Sequence, residues 1–150
     1  MKVAGIVTLY NPDNEVKKNI ESYLSDLDKL YIIDNTPNKD NKQVIPSSNK
    51  IVYLPQYDNV GVATALNIGA KKAINDKYNW LLTMDQDSRF KKNQLSKMIE
   101  YIENNDCKKI GLISPWHVIN TGAKKPKEEI DYPLEVMTSG NIINLQAYKK

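Results

Sequence analysis

The stretch WLLTMDQDSRF, residues 80–90, decides how this chain is read. Five residues from Trp80 to Met84 form a nearly unbroken apolar run, and the run ends in two aspartates, Asp85 and Asp87. A strand with one wet face alternates apolar and polar residues, whereas a strand buried on both faces does not. Double burial belongs to parallel sheets covered by helices. The charges then fall at the carboxyl end of such a strand, the edge at which open α/β sheets bind ligands.

Working outward, Val3–Leu9, Leu30–Ile33, Ile51–Leu54 and Ile110–Ser114 are further short apolar runs that read as strands. Asn11 is expected to cap a helix whose first position is Pro12, with Asp13 and Glu15 suited to its first turn. Val16, Ile20, Tyr23, Leu24 and Leu27 then recur at helical spacing. Val62–Ile74 reads as a second helix, with Leu66 and Ala73 inward and Asn59 as its cap. Gly69 inside it costs about 1 kcal/mol relative to Ala, which close packing against a strand would justify. Leu95, Met98, Ile99 and Ile102 place a third helix over Lys91–Asn105. Asn35–Asn49 has loop composition, and Leu134–Thr138 and Asn141–Leu145 read as short strands flanking Ser139–Gly140. Strands alternating with helices predict an α/β, Rossmann-like three-layer sandwich on a mostly parallel sheet, in one domain covering 1–150. Thr8–Tyr10, Asp34–Asn35 and Asp85–Asp87 should therefore meet along one edge.

Composition narrows the function. Hydrophobic residues at 41% and charged residues at 26% place the chain among soluble globular domains. The net charge of +3 comes from scattered lysines, with no basic arm or stripe, so nucleic acid is not an expected partner. A mild attraction to anionic ligands or to an anionic membrane surface follows from that charge. The single cysteine, Cys107, excludes an intrachain disulfide and a CxxC metal site, and reads as an inert thiol. The N-terminal apolar run is too short for a signal peptide, and no segment nears the ~20 apolar residues of a membrane span. The expected location is the cytoplasm.

Two aspartates one residue apart point the same way in extended backbone and repel each other. Mg²⁺ or Mn²⁺ relieves that repulsion, since such ions take one or two carboxylates together with substrate phosphates. The plain alternative is a pair of solvated loop aspartates, with Asp87 or Ser88 capping the next helix. An EF-hand starting at Asp85 fails, because its sixth and twelfth positions hold Phe90 and Ser96 rather than Gly and Glu. A haloacid-dehalogenase-type phosphatase is disfavoured by Arg89 and by the late position of the motif. His117, beside Trp116, lacks convergent partners and reads as structural.

Four segments taken in order, VTLYNP, LYIIDNT, NVGVATALNIGAKKA and WLLTMDQDS, resemble family 2 glycosyltransferases of the GT-A fold. Among these the chain is most similar to rhamnosyltransferase-like members, whose metal motif typically reads DQD. The resemblance runs from about Val3 to Leu145. It implies that Thr8 and Tyr10 line the nucleotide pocket and that Asp34 hydrogen-bonds the pyrimidine base. It also implies that Asn59, Gly61 and Asn67 pack beside the nucleotide-sugar, with Gln86. Asp85 and Asp87 become the Mn²⁺ or Mg²⁺ ligands, Asp85 also bordering the nucleotide-sugar, and Ser139–Gly140 a turn on the acceptor side. The implied reaction is inverting transfer of a sugar, such as rhamnose, from a dTDP- or UDP-linked donor to a saccharide or lipid-linked acceptor.

In that family the catalytic base lies in an acidic segment beyond the Ser–Gly turn. Here the chain ends at Tyr148–Lys149–Lys150, and Glu128, Glu129, Asp131 and Glu135 precede the turn. The expectation is a donor-binding half whose catalytic residue is unknown and which lacks the acceptor-binding part. A non-catalytic nucleotide-sugar-binding module is the alternative, and a Mg²⁺-dependent phosphatase or nucleotidyltransferase a weaker one. A sheet edge or face left open by such a truncation would favour a homodimer, and a lipid-linked acceptor would draw the protein to the inner face of the membrane.

Overall fold

A computed structural model describes residues 1–116 and 136–148. The elements run β1 (Val3–Leu9), α1 (Glu15–Leu24), β2 (Lys29–Asp34), β3 (Ile51–Pro55), α2 (Val62–Asn75), β4 (Trp80–Asp85), α3 (Gln94–Asn104), β5 (Leu112–Ile113), β6 (Asn141–Asn144) and a final helical turn α4 (Leu145–Tyr148). A short 3-10 turn covers Lys42–Val44.

The six strands form one sheet in the order β3-β2-β1-β4-β6-β5. The first four are mutually parallel, and β6 runs antiparallel to both β4 and β5. Strand alternation sorts the buried side chains onto two faces. Val7, Leu9, Leu30, Ile32, Leu82 and Met84 meet Val16, Ile20 and Tyr23 of α1 and Leu95 and Ile102 of α3. Ala4, Ile6, Tyr31, Ile33 and Leu81 meet Ala65, Ala70 and Ala73 of α2. Both faces are covered, which explains why the strands read as continuous apolar runs.

The small residues of α2 let it lie close to the sheet. A Cβ built on Gly69 would stand 2.0 Å from Ile6 Cδ1 and 2.7 Å from its Cγ1. Ile6 is fully buried in the central strand, so the cost of a mid-helix glycine is the condition for this approach. The outermost strand on the other side of the sheet centre from β4 is β3. Its ladder to β2 uses the backbone groups of every second residue, as the bonds from Leu30 N–H to Lys50 O and from Gln56 N–H to Asp34 O mark out. Ile51, Tyr53 and Pro55 therefore face outward. The Ile51 N–H bonds Ser48 O within the same chain, and Pro55 has none.

Several boundaries differ from the sequence reading. The first helix starts at Glu15 rather than Pro12. Asn11 adopts left-handed φ 45 and gives its N–H to Thr36 Oγ1 at 2.9 Å, so it ties two loops together instead of capping. Asp13 Oδ1 accepts the Glu15 N–H at 2.9 Å. The third helix starts at Gln94, because Asn93 at φ 62 breaks the run from Lys91. The N-cap of α2 is Gly61, not Asn59. The strand expected over Ile110–Ser114 contracts to Leu112–Ile113, the two residues that find partners on β6. Residues 136–138 of the run expected over Leu134–Thr138 are not strand. The remainder of that run lies outside the described residues, as do His117, Glu128, Glu129, Asp131 and Glu135. No helix among the described residues is long and apolar enough to cross a membrane.

Gly69→Ala is expected to destabilise the chain by about 1–3 kcal/mol through overpacking, although Ala is the better helix former by about 1 kcal/mol. Urea denaturation measures this. Adding Ile6→Val, which removes the closest atom, should recover part of the loss, and an increase in stability from Gly69→Ala alone would sink the packing argument.

Candidate functional site

Parallel pairing sets three chain segments side by side. In register, Leu9 lies opposite Asp34 and Thr8 opposite Asp85. The carboxyl ends of β2, β1 and β4 thus form one continuous edge, as the sequence predicts. Beyond β1, the Asn35 N–H donates to Leu9 O at 2.8 Å.

The faces refine the picture. Thr8 shares the parity of Ala4 and Ile6, and Asp85 that of Leu81, so both belong to the α2 side of the sheet. Asn35 is drawn to that side too, its Nδ2 donating to Gly61 O at 3.3 Å. Gly61 has φ 82 and ψ 155, a backbone geometry that favours glycine, and its N–H donates to Asn59 Oδ1 at 3.1 Å. The α2 side of this edge therefore carries Thr8, Asn35, Asn59, Gly61 and Asp85. Two polar atoms there, Thr8 Oγ1 and Asn35 Oδ1, are buried without a hydrogen-bond partner among the described residues. Such atoms are uncommon in a finished core. Tyr10 stands at the rim, 48% exposed.

Asp34 is placed differently from the expectation that it meets a base. Its parity is that of Leu30 and Ile32, on the opposite face. It is fully buried. Oδ1 accepts the Thr36 N–H at 3.0 Å, and Oδ2 accepts Asn41 Nδ2 at 2.9 Å and the Tyr53 hydroxyl at 2.6 Å. The Tyr53 oxygen in turn accepts the Asn41 N–H at 2.8 Å. Burial and then the bond to Asp34 push the Tyr53 hydroxyl far above its ordinary range. Asp34 is thus the internal post that orders the loop after β2. The neighbouring Asn35 is the polar residue turned to the α2 side, and a sequence reading that favours charge passes over it.

Asp85 ends β4, and the chain turns at Gln86–Asp87, closed by Ser88 N–H to Asp85 O at 3.1 Å. Extended alternation therefore stops at Asp85. Ser139 Oγ accepts the Asp85 N–H at 3.0 Å, which brings the Ser139–Gly140 turn against the motif. The Asp85 carboxyl titrates above its ordinary 3.8, first through burial and second through the charge of Asp87. The two carboxylates therefore feel each other. Asp87 is exposed and lines a cavity of about 320 Å³ beside Asp13 and Glu15 at the start of α1 and Arg89.

Among the described residues no group of three His, Cys, Asp or Glu is gathered as a metal cage. A pair of carboxylates, one of them desolvated and repelled, still suits Mg²⁺ or Mn²⁺, which complete their shells with phosphate oxygens and water. Gln86, expected at the donor, spends both amide atoms on the backbone of Tyr10. Asn67 is exposed and accepts the Tyr148 hydroxyl, joining α2 to α4. Cys107 is buried with its thiol pushed up, as suits an inert side chain.

Comparison with known proteins gives matches of three kinds. The description "Glycosyl transferase family 2" fits residues 6–147. The chain is similar to the dTDP-rhamnosyl transferase RfbF of Shigella flexneri, 25% identical over 113 residues, which span 73% of this chain and 37% of that protein. The crystal structure of S. aureus TarS 1-349 superposes with TM-score 0.66 at 16% identity, over 99% of this chain and 48% of that one. The chain thus spans less than half the length of either, and the second likeness is one of fold.

Two measurements probe this geometry. Tyr53→Phe should cost about 1–3 kcal/mol by leaving the Asp34 carboxylate and the Asn41 N–H short of a partner, read by urea denaturation. No loss would mean Asp34 is not held as described. Raised folded-state titration of Asp85 means its charge opposes folding above its folded pKa and costs nothing below 3.8. In chelator, Asp85→Asn should therefore raise Tm at neutral pH, with the gain fading as the pH falls towards 4. A lower Tm at neutral pH would contradict the sign.

Proposed function

This chain belongs to glycosyl transferase family 2, and from that premise we propose that it binds a nucleotide-diphosphate sugar for inverting transfer to a saccharide or lipid-linked acceptor. The observation that carries the proposal is the register Thr8 to Asp85, which sets a repelled carboxylate pair beside two buried polar atoms that lack a partner among the described residues. The sheet has the GT-A arrangement, matching the fold of a solved relative.

Within this proposal the base and ribose lie along the edge that carries Thr8, Asn35, Asn59 and Gly61. Thr8 Oγ1 and Asn35 Oδ1 are buried there without a hydrogen-bond partner among the described residues. The exposed ring of Tyr10 offers a stacking face at the rim. Asp85 and Asp87 would hold Mn²⁺ or Mg²⁺ against the diphosphate. Such an ion supplies neutralisation of the charge that develops on the leaving diphosphate. Backbone amides tied by Ser139 and Gln86 keep the two carboxylates from relaxing apart. The name of the relative favours a dTDP-linked rhamnose as donor. A lipid-linked acceptor would place the reaction at the inner face of a membrane, where a net charge of +3 favours peripheral contact.

Calorimetric titration of UDP and of dTDP, with and without Mn²⁺, tests the proposal on the wild-type chain and on Asp85→Asn and Asp87→Asn. Expected is binding that Mn²⁺ strengthens, with the Mn²⁺ effect lost in both variants. A folded chain that binds neither nucleotide would end the proposal.

A further inference from the structure

We propose that Gln86 is a positioning residue, whose side-chain amide stands in for a peptide group and holds the Asp85–Asp87 turn against β1. The β1–β4 ladder ends at the pair Thr8 and Asp85, because β4 bends away at the next residue. Tyr10, two residues beyond Thr8 and one past the end of β1, is left without a strand partner on β4. Gln86 makes good the loss. Its Oε1 accepts the Tyr10 N–H at 2.9 Å and its Nε2 donates to Tyr10 O at 3.2 Å. Both amide atoms are used, in the donor–acceptor pattern a strand residue would present.

The residue is gripped from a second element. Asn19 of α1, 8% exposed, donates its Nδ2 to Gln86 O at 2.9 Å. On either side of this turn the Asp85 N–H goes to Ser139 Oγ, and the Phe90 N–H goes to Ser22 Oγ at 3.0 Å. Among the described residues neither carboxylate of the pair takes part in a hydrogen bond. The turn is therefore fixed through everything except its charged groups, and Gln86 is the side chain within it that reaches β1.

The requirement is chemically narrow. Glutamate would keep the acceptor but lose the donor and add a third negative charge. Asparagine has both atoms on a side chain one methylene shorter. Alanine has neither. Two like charges in an untied turn would separate, and a pair preset at a ligand's distance would be lost.

The inference rests on the donor-site proposal for what the carboxylates hold, but its geometry can be read without a ligand. In Gln86→Ala, hydrogen exchange at the Tyr10 amide, followed by NMR, should accelerate at least about tenfold, with the Val7 and Ile32 amides unchanged as the sign of an intact sheet. The Mn²⁺-dependent gain in UDP or dTDP affinity should fall about 10–100-fold, as for loss of a group that orients metal ligands. Nucleotide affinity without Mn²⁺ should fall less than the Mn²⁺-dependent gain does. Gln86→Glu should keep Tyr10 exchange slow and still forfeit part of the gain. Unchanged Tyr10 exchange in Gln86→Ala overturns the tie. Faster exchange with the full Mn²⁺ gain retained overturns the positioning role alone. A wild-type chain with no Mn²⁺ gain overturns the metal assignment and the positioning role together, while faster Tyr10 exchange would still leave the tie standing.

Discussion

Everything at the site depends on β1 being locked between two parallel partners. A parallel ladder fixes register along its whole length, since a slip of one residue would send every side chain to the other face. Ala4 and Ile6 must face α2 while Val7 and Leu9 face α1. Burial on both sides leaves no register in which the strand could shift without exposing apolar surface. That lock decides which polar residues emerge together. Thr8 and Asp85 are adjacent because the apolar residues before them have no alternative arrangement.

The same lock produces the opposed fates of Asp34 and Asp85. Each is the aspartate that closes an apolar strand, and the two are alike to a local reading. Alternation turns Asp34 to the α1 side, where the loop after β2 supplies two donors and Tyr53 of β3 a third. Alternation turns Asp85 to the α2 side, where the carboxylate finds no such donors among the described residues and feels Asp87. One carboxylate is consumed in building the molecule. The other stays chemically available, at the expense of the fold's own stability. This is the usual trade at functional sites, where local rules are broken and the rest of the structure compensates.

Much of this was legible in the sequence. The four parallel strands and the three longer helices follow from apolar periodicity, and the meeting of three strand ends follows from their order. The glycine within α2 announced close packing, and the structure supplies its partner, Ile6. Local signals failed where a distant partner decided the outcome. Asn11 looked like a cap because Thr36 could not be seen beside it. Asp34 looked like a ligand because Asn41 and Tyr53 arrive from later in the chain. Gln86 looked like part of a metal motif because its partner, Tyr10, is 76 positions earlier. Periodicity reports which face a residue belongs to. It does not report which polar atoms are already taken.

The outer border of β3 has a further consequence. With the Ile51 N–H turned back to Ser48 and no N–H at Pro55, the strand offers an incoming chain a single outward donor, that of Tyr53. One donor cannot seed a ladder. Proteins use proline and self-satisfied amides to guard such borders against runaway pairing. The sheet is therefore closed to growth on this side, and a second copy that meets this border must do so through side-chain surfaces rather than by continuing the sheet past β3.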